Sequence, residues 1–274
     1  MRKTLKRALM SSGLYRPVWR LRGWLRRHDP RVAVRNRRFL RRADEPLPLP
    51  PSDLMWEVVN RADVEGFLAG GRERAAAIER AFAAAGFDLR AAGRVLDFGC
   101  GCGRVIRHWH GRTATEWHGS DVNPRLVDWC RDNLPFATFA VNGLAPPLDQ
   151  PDRRFDAIYA ISVLTHLDED LGERWLAELG RVLQQDGALL VTTHGDAWLE
   201  SLDSREQEAY RRGGVVVRSD QALGSNLCET YHPPVAFRAM AARHFGDIHH
   251  LPQGTPERRA QDMWVLRSPH PPPS

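Results

Sequence analysis

Ten residues constrain this chain more than any others: Val95-Leu96-Asp97-Phe98-Gly99-Cys100-Gly101-Cys102-Gly103-Arg104. An apolar run ends in an acid and three alternating glycines, and Val105-Ile106-Arg107-His108-Trp109 then reads as the start of a helix. The glycines predict a strand-to-helix turn. Glycine lets the backbone reach positive φ and approach a ligand closely, and the first turn of a helix offers N–H groups without partners. Glycines also punctuate ordinary βα loops. The acid two residues ahead of the first glycine favours a cofactor cradle over plain punctuation.

From residue 93 onward strands and helices alternate, which argues for a parallel sheet with helices on both faces. The expected strands are Arg94 to Phe98, Glu116 to Ser120, Ala137 to Val141, Phe155 to Ile161, Ala188 to Thr193, Gly246 to Leu251 and Asp262 to Arg267. Helices are expected from Asn123-Pro124 to about Leu134, from Leu171 to Leu183 and from Pro234 to Phe245. Ahead of the sheet, Arg72 to Ala85 is a helix rich in Ala, Glu and Arg that closes near Gly86. Ser52-Asp53 caps a short helix through Val59, and the proline-rich run 46–51 is an extended linker. A chain of 274 residues with 42% hydrophobic content buries one substantial core plus appendages. The expected division is a helical arm over residues 1–45, a linker and helical cap over 46–92, and one catalytic domain over 93–274.

Charge separates the arm from the rest. Residues 1–42 hold fifteen Lys or Arg and one acid, Asp29, for a net +14, while residues 43–274 hold 24 basic and 33 acidic side chains, for a net −9. The basic isoelectric point therefore describes the arm and not the domain. After Pro17, Val18, Leu21, Trp24 and Leu25 fall on one helical face, with Arg20, Arg22, Arg26 and Arg27 on the rest. Such a helix suits an anionic membrane interface, docking on an acidic protein surface, or RNA phosphates. No apolar run is long enough to span a bilayer, and no secretory signal is evident, so the expected location is cytoplasmic, with peripheral contact at the inner membrane face through residues 1–42. Cys100, Cys102, Cys130 and Cys228 lack the spacing of a tetrahedral metal site, and no metal is expected.

The glycine spacing separates two kinds of nucleotide site. A dinucleotide fingerprint is G-x-G-x-x-G; here the pattern is D-x-G-x-G-x-G, which argues against a nicotinamide oxidoreductase. The pattern resembles motif I of the class I S-adenosylmethionine-dependent methyltransferases. Phe155-Asp156-Ala157-Ile158-Tyr159-Ala160-Ile161-Ser162-Val163-Leu164-Thr165-His166-Leu167 resembles motif IV of that family, and Trp175-Leu176-x-Glu178-Leu179-x-Arg181-Val182-Leu183 with Gly187 is close to a run of its bacterial members. Tyr231-His232-Pro233-Pro234 and Gln261-Asp262 resemble a bacterial subgroup, some of whose members act on glycans or secondary metabolites. The likeness covers roughly residues 50 to 267. It implies a Rossmann-like α/β fold with a seven-stranded, mostly parallel sheet whose last strand is antiparallel, and S-adenosyl-L-methionine as cofactor.

The resemblance also implies a site. Asp97 would serve the cofactor's ammonium, usually through water, with Phe98, Gly99, Cys100 and Gly101 in the loop along its methionine portion. Asp121, 24 residues after Asp97, stands at the end of the second strand, where an acid can accept both ribose hydroxyls or cap the next helix. Val122 would pack on the adenine, and Asn142-Gly143 would face its exocyclic amine. Ser162 to His166 would lie beneath the transferable methyl. The Asn/Asp-Pro-Pro-aromatic tetrapeptide of base N-methylating relatives is missing there, and Pro146-Pro147-Leu148 comes too early to replace it. Three histidines at strand ends or loops, His166, His232 and His194, are candidates for the base that takes a hydroxyl proton, in competition with plain capping roles. Tyr231 and Glu229 are candidates for orienting an acceptor. The expected activity is O-methylation of a small-molecule, sugar or lipid-linked acceptor; RNA or protein methylation and a silent cofactor-binding scaffold are the alternatives.

Overall fold

The computed structural model describes residues 17–18, 21, 24–25, 29–218, 223–225, 227–257 and 259–270. Among the described residues, the helices whose bounds are defined ahead of the sheet are α1 (Pro30–Leu40), α2 (Ser52–Val59) and α3 (Val64–Ala84). There follow β1 (Arg94–Phe98), β2 (Glu116–Asp121), α4 (Pro124–Asn133), β3 (Ala137–Val141), β4 (Phe155–Ala160), α5 (Glu169–Val182) and β5 (Leu183–Thr193). After β5 come α6 (Ser204–Arg211), β6 (Val216–Arg218), β7 (Glu229–Tyr231), α7 (Pro234–Ala241), β8 (Phe245–Leu251) and β9 (Asp262–Pro269). The chain divides into two compact units, residues 1–70 and 71–274, with the division inside α3.

In the larger unit a seven-stranded sheet has the order β3-β2-β1-β4-β5-β9-β8. Strands β1 to β5 pair in parallel, while β9 runs antiparallel to both β5 and β8. The central strands carry near-continuous apolar runs because helices cover both of their faces. Ala157, Ile158, Tyr159 and Ala160 of β4 and Ala188, Leu189, Leu190 and Val191 of β5 are fully enclosed. Helix α5 presents Leu171, Trp175, Leu176, Leu179 and Val182 at helical spacing to that core, where α7 adds Phe237, Met240 and Ala241. β6 and β7 form a separate antiparallel hairpin.

Several expected bounds change. The strand expected from Ala188 already begins at Leu183, and the helix expected to reach Phe245 ends at Ala241, with Phe245 opening β8. The helix predicted from Val105 is a single 3-10 turn, Ile106–Trp109, closed off before Gly111. Ile106 and Trp109 are both buried, so packing holds the turn together with its own hydrogen bonds, such as His108 N to the Val105 carbonyl at 3.0 Å. The helix predicted from Arg72 begins earlier, at Val64, and continues through Gly66, Gly70 and Gly71. Of the arm, Arg20, Arg22, Arg26 and Arg27 lie outside the described residues, whereas Leu21, Trp24 and Leu25 are helical and exposed. Among the described residues no helix is long and apolar enough to cross a membrane.

Candidate functional site

All three alternating glycines adopt left-handed backbone: Gly99 at φ 80°, Gly101 at 56° and Gly103 at 73°. Side chains rarely tolerate that region, so the alternation is what lets β1 turn back so tightly. The turn is pinned from β2, where the Ser120 carbonyl accepts the N–H groups of Gly99 (2.8 Å) and Cys100 (3.0 Å). The Asp121 carboxylate accepts from Gly101 N (2.9 Å) with one oxygen and from Asn123 N (2.9 Å) with the other. Asp121 thus organises the loop as well as facing it, while Asn123, not Asp121, caps α4 through Arg125 N. Phe98 and Cys100 turn their side chains into the interior, Phe98 against Trp175 at 4.6 Å between ring centroids. What they offer the site is backbone.

Asp97 is the electrostatic centre. It is 3% exposed, and its Oδ2 is buried with no partner among the described residues. Burial, offset in part by hydrogen bonds from Tyr159 and the Ile106 backbone and reinforced by the Asp121 charge, raises its carboxyl to about 8. Tyr159 is itself oriented by Trp109, whose Nε1 donates to the Tyr159 hydroxyl at 3.1 Å. An enclosed carboxyl oxygen lacking a donor is costly unless a ligand supplies one, and an ammonium group would supply it.

A second unmatched acceptor lies after β3. Asn142 Nδ2 donates to the Gly143 carbonyl at 2.7 Å, which fixes the amide's orientation, and its buried Oδ1 has no partner among the described residues. That oxygen can accept from an amino group such as adenine's. Beside it Val122 and Leu144, 37% and 41% exposed, form an apolar wall. Gly224 closes against this wall: a Cβ placed there would stand 2.7 Å from Leu144 Cδ1 and 4.0 Å from Val122 Cγ1. The Trp175 indole holds the Leu144 carbonyl at 2.9 Å. Two acceptors for amino groups, an acid at the end of β2 and an apolar slot match S-adenosylmethionine in charge and polarity.

The segment after β4 packs directly on the glycine turn, since a Cβ on Gly99 would lie 2.3 Å from Val163 Cγ2. Ser162 has φ 60°, unusual for a non-glycine residue. Its N–H donates to Thr192 Oγ1 (2.8 Å) and its hydroxyl to Gln261 Oε1 (3.0 Å). His166 is half-buried, and its Nδ1 lies 2.7 Å from the Cys228 carbonyl. A carbonyl can only accept, so Nδ1 carries the proton and Nε2 keeps its lone pair. Burial lowers the His166 pKa below the ordinary imidazole value, with partial compensation from the Cys228 carbonyl and Glu229. The Gly224 N–H returns to the His166 carbonyl at 2.8 Å.

The other two histidines are packed groups. His232 is 2% exposed, stands edge-on to Phe237, and is held near 4 by burial. His194 is 5% exposed, with its ring 4.0 Å from Trp198 and 5.3 Å from Tyr231. Tyr231, expected to orient an acceptor, is 1% exposed, and its hydroxyl is engaged with Arg218 and Glu229. Gln261, bonded to Ser162, and Leu144, beside Gly224, lie next to the candidate residues and were not assigned by the sequence reading. Gln261-Asp262 stood out only as part of a resemblance, and nothing local marks Leu144.

The geometry agrees with comparisons to known proteins. Residues 95–187 match the family model described as a methyltransferase domain. A sterol 24-C-methyltransferase of Gibberella zeae is 27% identical over 208 residues, 72% of this chain and 51% of that protein. A ubiquinone/menaquinone biosynthesis C-methyltransferase of Burkholderia mallei is 29% identical over 128 residues, 43% of this chain and 50% of that protein. The chain thus spans about half the length of the curated relatives it matches. Among solved structures, the 1,6-didemethyltoxoflavin-N1-methyltransferase of Burkholderia thailandensis, with bound 1,6-didemethyltoxoflavin and S-adenosylhomocysteine, has a TM-score of 0.52 at 21% identity. That match covers 82% of this chain and 93% of the other, and it shows the shared fold.

Proposed function

We propose that this chain, whose residues 95–187 match a methyltransferase domain, is a class I S-adenosylmethionine-dependent methyltransferase that methylates a hydroxyl group of a small-molecule, sugar or lipid-linked acceptor with His166 as the base. The observation that carries the reading is the His166 tautomer: the Cys228 carbonyl accepts a hydrogen bond from Nδ1–H, leaving the Nε2 lone pair able to take a proton. When bound, the cofactor supplies an electrophilic methyl on a sulfonium that leaves readily. The remaining work falls to the protein. Asp97 Oδ2 takes the ammonium, Asp121 the ribose hydroxyls, Asn142 Oδ1 the adenine amine, and Val122 with Leu144 the face of the base. Gln261, whose Oε1 accepts from the Ser162 hydroxyl, keeps the N–H groups of its amide nitrogen for the acceptor side. Holding reactants in line accounts for about 7–11 kcal/mol in favourable cases, and a placed base adds roughly 10²–10⁴-fold.

A second reading, methylation at carbon, draws support from the names of the two curated relatives. It uses the same base for an acceptor that loses a proton as it gains the methyl. The two are separated by the product: hydrolysis-resistant C–CH₃ against O–CH₃, assigned by NMR after a screen of hydroxylated metabolites with labelled methyl donor. On the acceptor so found, His166→Ala is expected to lower kcat by about 10²–10⁴-fold and leave S-adenosylhomocysteine affinity nearly unchanged. The wild-type acid limb should fall below the ordinary imidazole value, because burial disfavours the imidazolium. Unchanged turnover in His166→Ala removes His166 from the mechanism.

A further inference from the structure

Helix α1 carries a stripe of arginines. Arg31, Arg35 and Arg38 recur at i, i+4 and i+7, and Arg42 just past the helix continues the series. All four are exposed, as are Arg37 and Arg41, and among the described residues none of their side chains has an ion-pair or hydrogen-bond partner. The opposite face is the anchored one. There Val32, Asn36 and Phe39 are half-buried, and Asn36 donates to the Ala62 carbonyl (2.9 Å) and accepts from Val64 N (3.1 Å). The helix is therefore held with its arginines outward. Like charges three and four residues apart oppose helix formation, and no acid occurs between Asp29 and Asp44 to relieve them. An external anion would relieve this repulsion.

The apolar residues decide which anion. Leu21, Trp24 and Leu25 are 57%, 51% and 56% exposed, and Val34, beside the arginine stripe, is 54% exposed. Phosphate contacts along a nucleic acid would leave that surface in water, whereas a bilayer interface buries Trp and Leu while its anionic headgroups meet the basic residues. We propose that helix α1, with Arg41 and Arg42 just past it and with Leu21, Trp24 and Leu25, forms a docking surface for an anionic lipid membrane, the α1 arginines against headgroup phosphates and Leu21, Trp24 and Leu25 in the interface.

Sedimentation of the full chain with vesicles tests this. Phosphatidylcholine vesicles containing phosphatidylglycerol should bind it at low salt, and pure phosphatidylcholine vesicles at least tenfold less. Replacing the stripe (Arg31→Gln, Arg35→Gln, Arg38→Gln) should weaken binding to anionic vesicles roughly 100-fold. Leu21→Ser, Trp24→Ser and Leu25→Ser, with every charge kept, should also weaken it, and circular dichroism should show both variants folded. Absence of vesicle binding, or equal binding to neutral and anionic vesicles, overturns the proposal. So does a serine variant that binds vesicles like the wild type while duplex RNA displaces both, which would mark a nucleic-acid surface.

Discussion

If Asp97 receives the cofactor's ammonium, binding must release a proton. The carboxyl is enclosed and titrates near 8 in the free protein, chiefly because burial disfavours its charge. Below pH 8 the free protein is mostly protonated there, yet a carboxylic acid cannot balance an ammonium ion. Each pH unit below 8 therefore costs about 1.4 kcal/mol, or tenfold in affinity. S-adenosylhomocysteine should bind roughly 50-fold more weakly at pH 6 than at pH 8, where half the sites are already ionised, and release about one proton per molecule bound at pH 6.5. Calorimetry in buffers of different ionisation enthalpy reads both quantities. Asp97→Asn should bind weakly, with a flat pH dependence between 6 and 8 and no proton release. The same shift works in the opposite direction on stability. A folded-state pKa above the unfolded value of 3.8 means that the folded chain holds the extra proton, so the contribution is full below about pH 4 and is lost as pH rises towards 8. Wild-type affinity that is constant from pH 6 to 8, with no proton released, would refute the assignment of Oδ2 to the ammonium.

Two further substitutions probe the turn. Gly99→Ala forces a side chain into φ 80° and against Val163 Cγ2, so thermal unfolding should show a loss of at least about 1–2 kcal/mol together with weaker cofactor binding. Asp121→Ala strands the N–H groups of Gly101 and Asn123, and should abolish S-adenosylhomocysteine binding and destabilise the fold by about 1–3 kcal/mol for each donor left unpaired, measured by urea unfolding.

Much of this was legible in the sequence, for physical reasons that differ by region. β1 and β3 fall at the expected residues because their apolar runs are bounded by charge and glycine. Asp97 and Asp121 stood out because each ends a strand beside a turn. The stretch after β5 was opaque. Its helix α6, with a capping box between Asp203 and Glu206, and its hairpin β6–β7 are short elements without strong periodicity. The partners that orient the site were invisible for a different reason: Cys228 lies 62 residues from His166 and Gln261 99 residues from Ser162, so only the folded chain brings them together. His232 ranked second to His166 as a candidate base. The helix opened by Pro233-Pro234 then lays Phe237 against its ring, and a histidine so enclosed stays neutral.

The central claim is that the three-glycine turn and its two acids hold an adenosyl sulfonium or its demethylated product. A titration of the full-length wild-type chain at pH 8 with S-adenosylhomocysteine, and in parallel with NAD, tests it most directly. Saturable one-to-one binding of S-adenosylhomocysteine with no heat from NAD is the predicted result. Binding of NAD alone, or of neither, would contradict it.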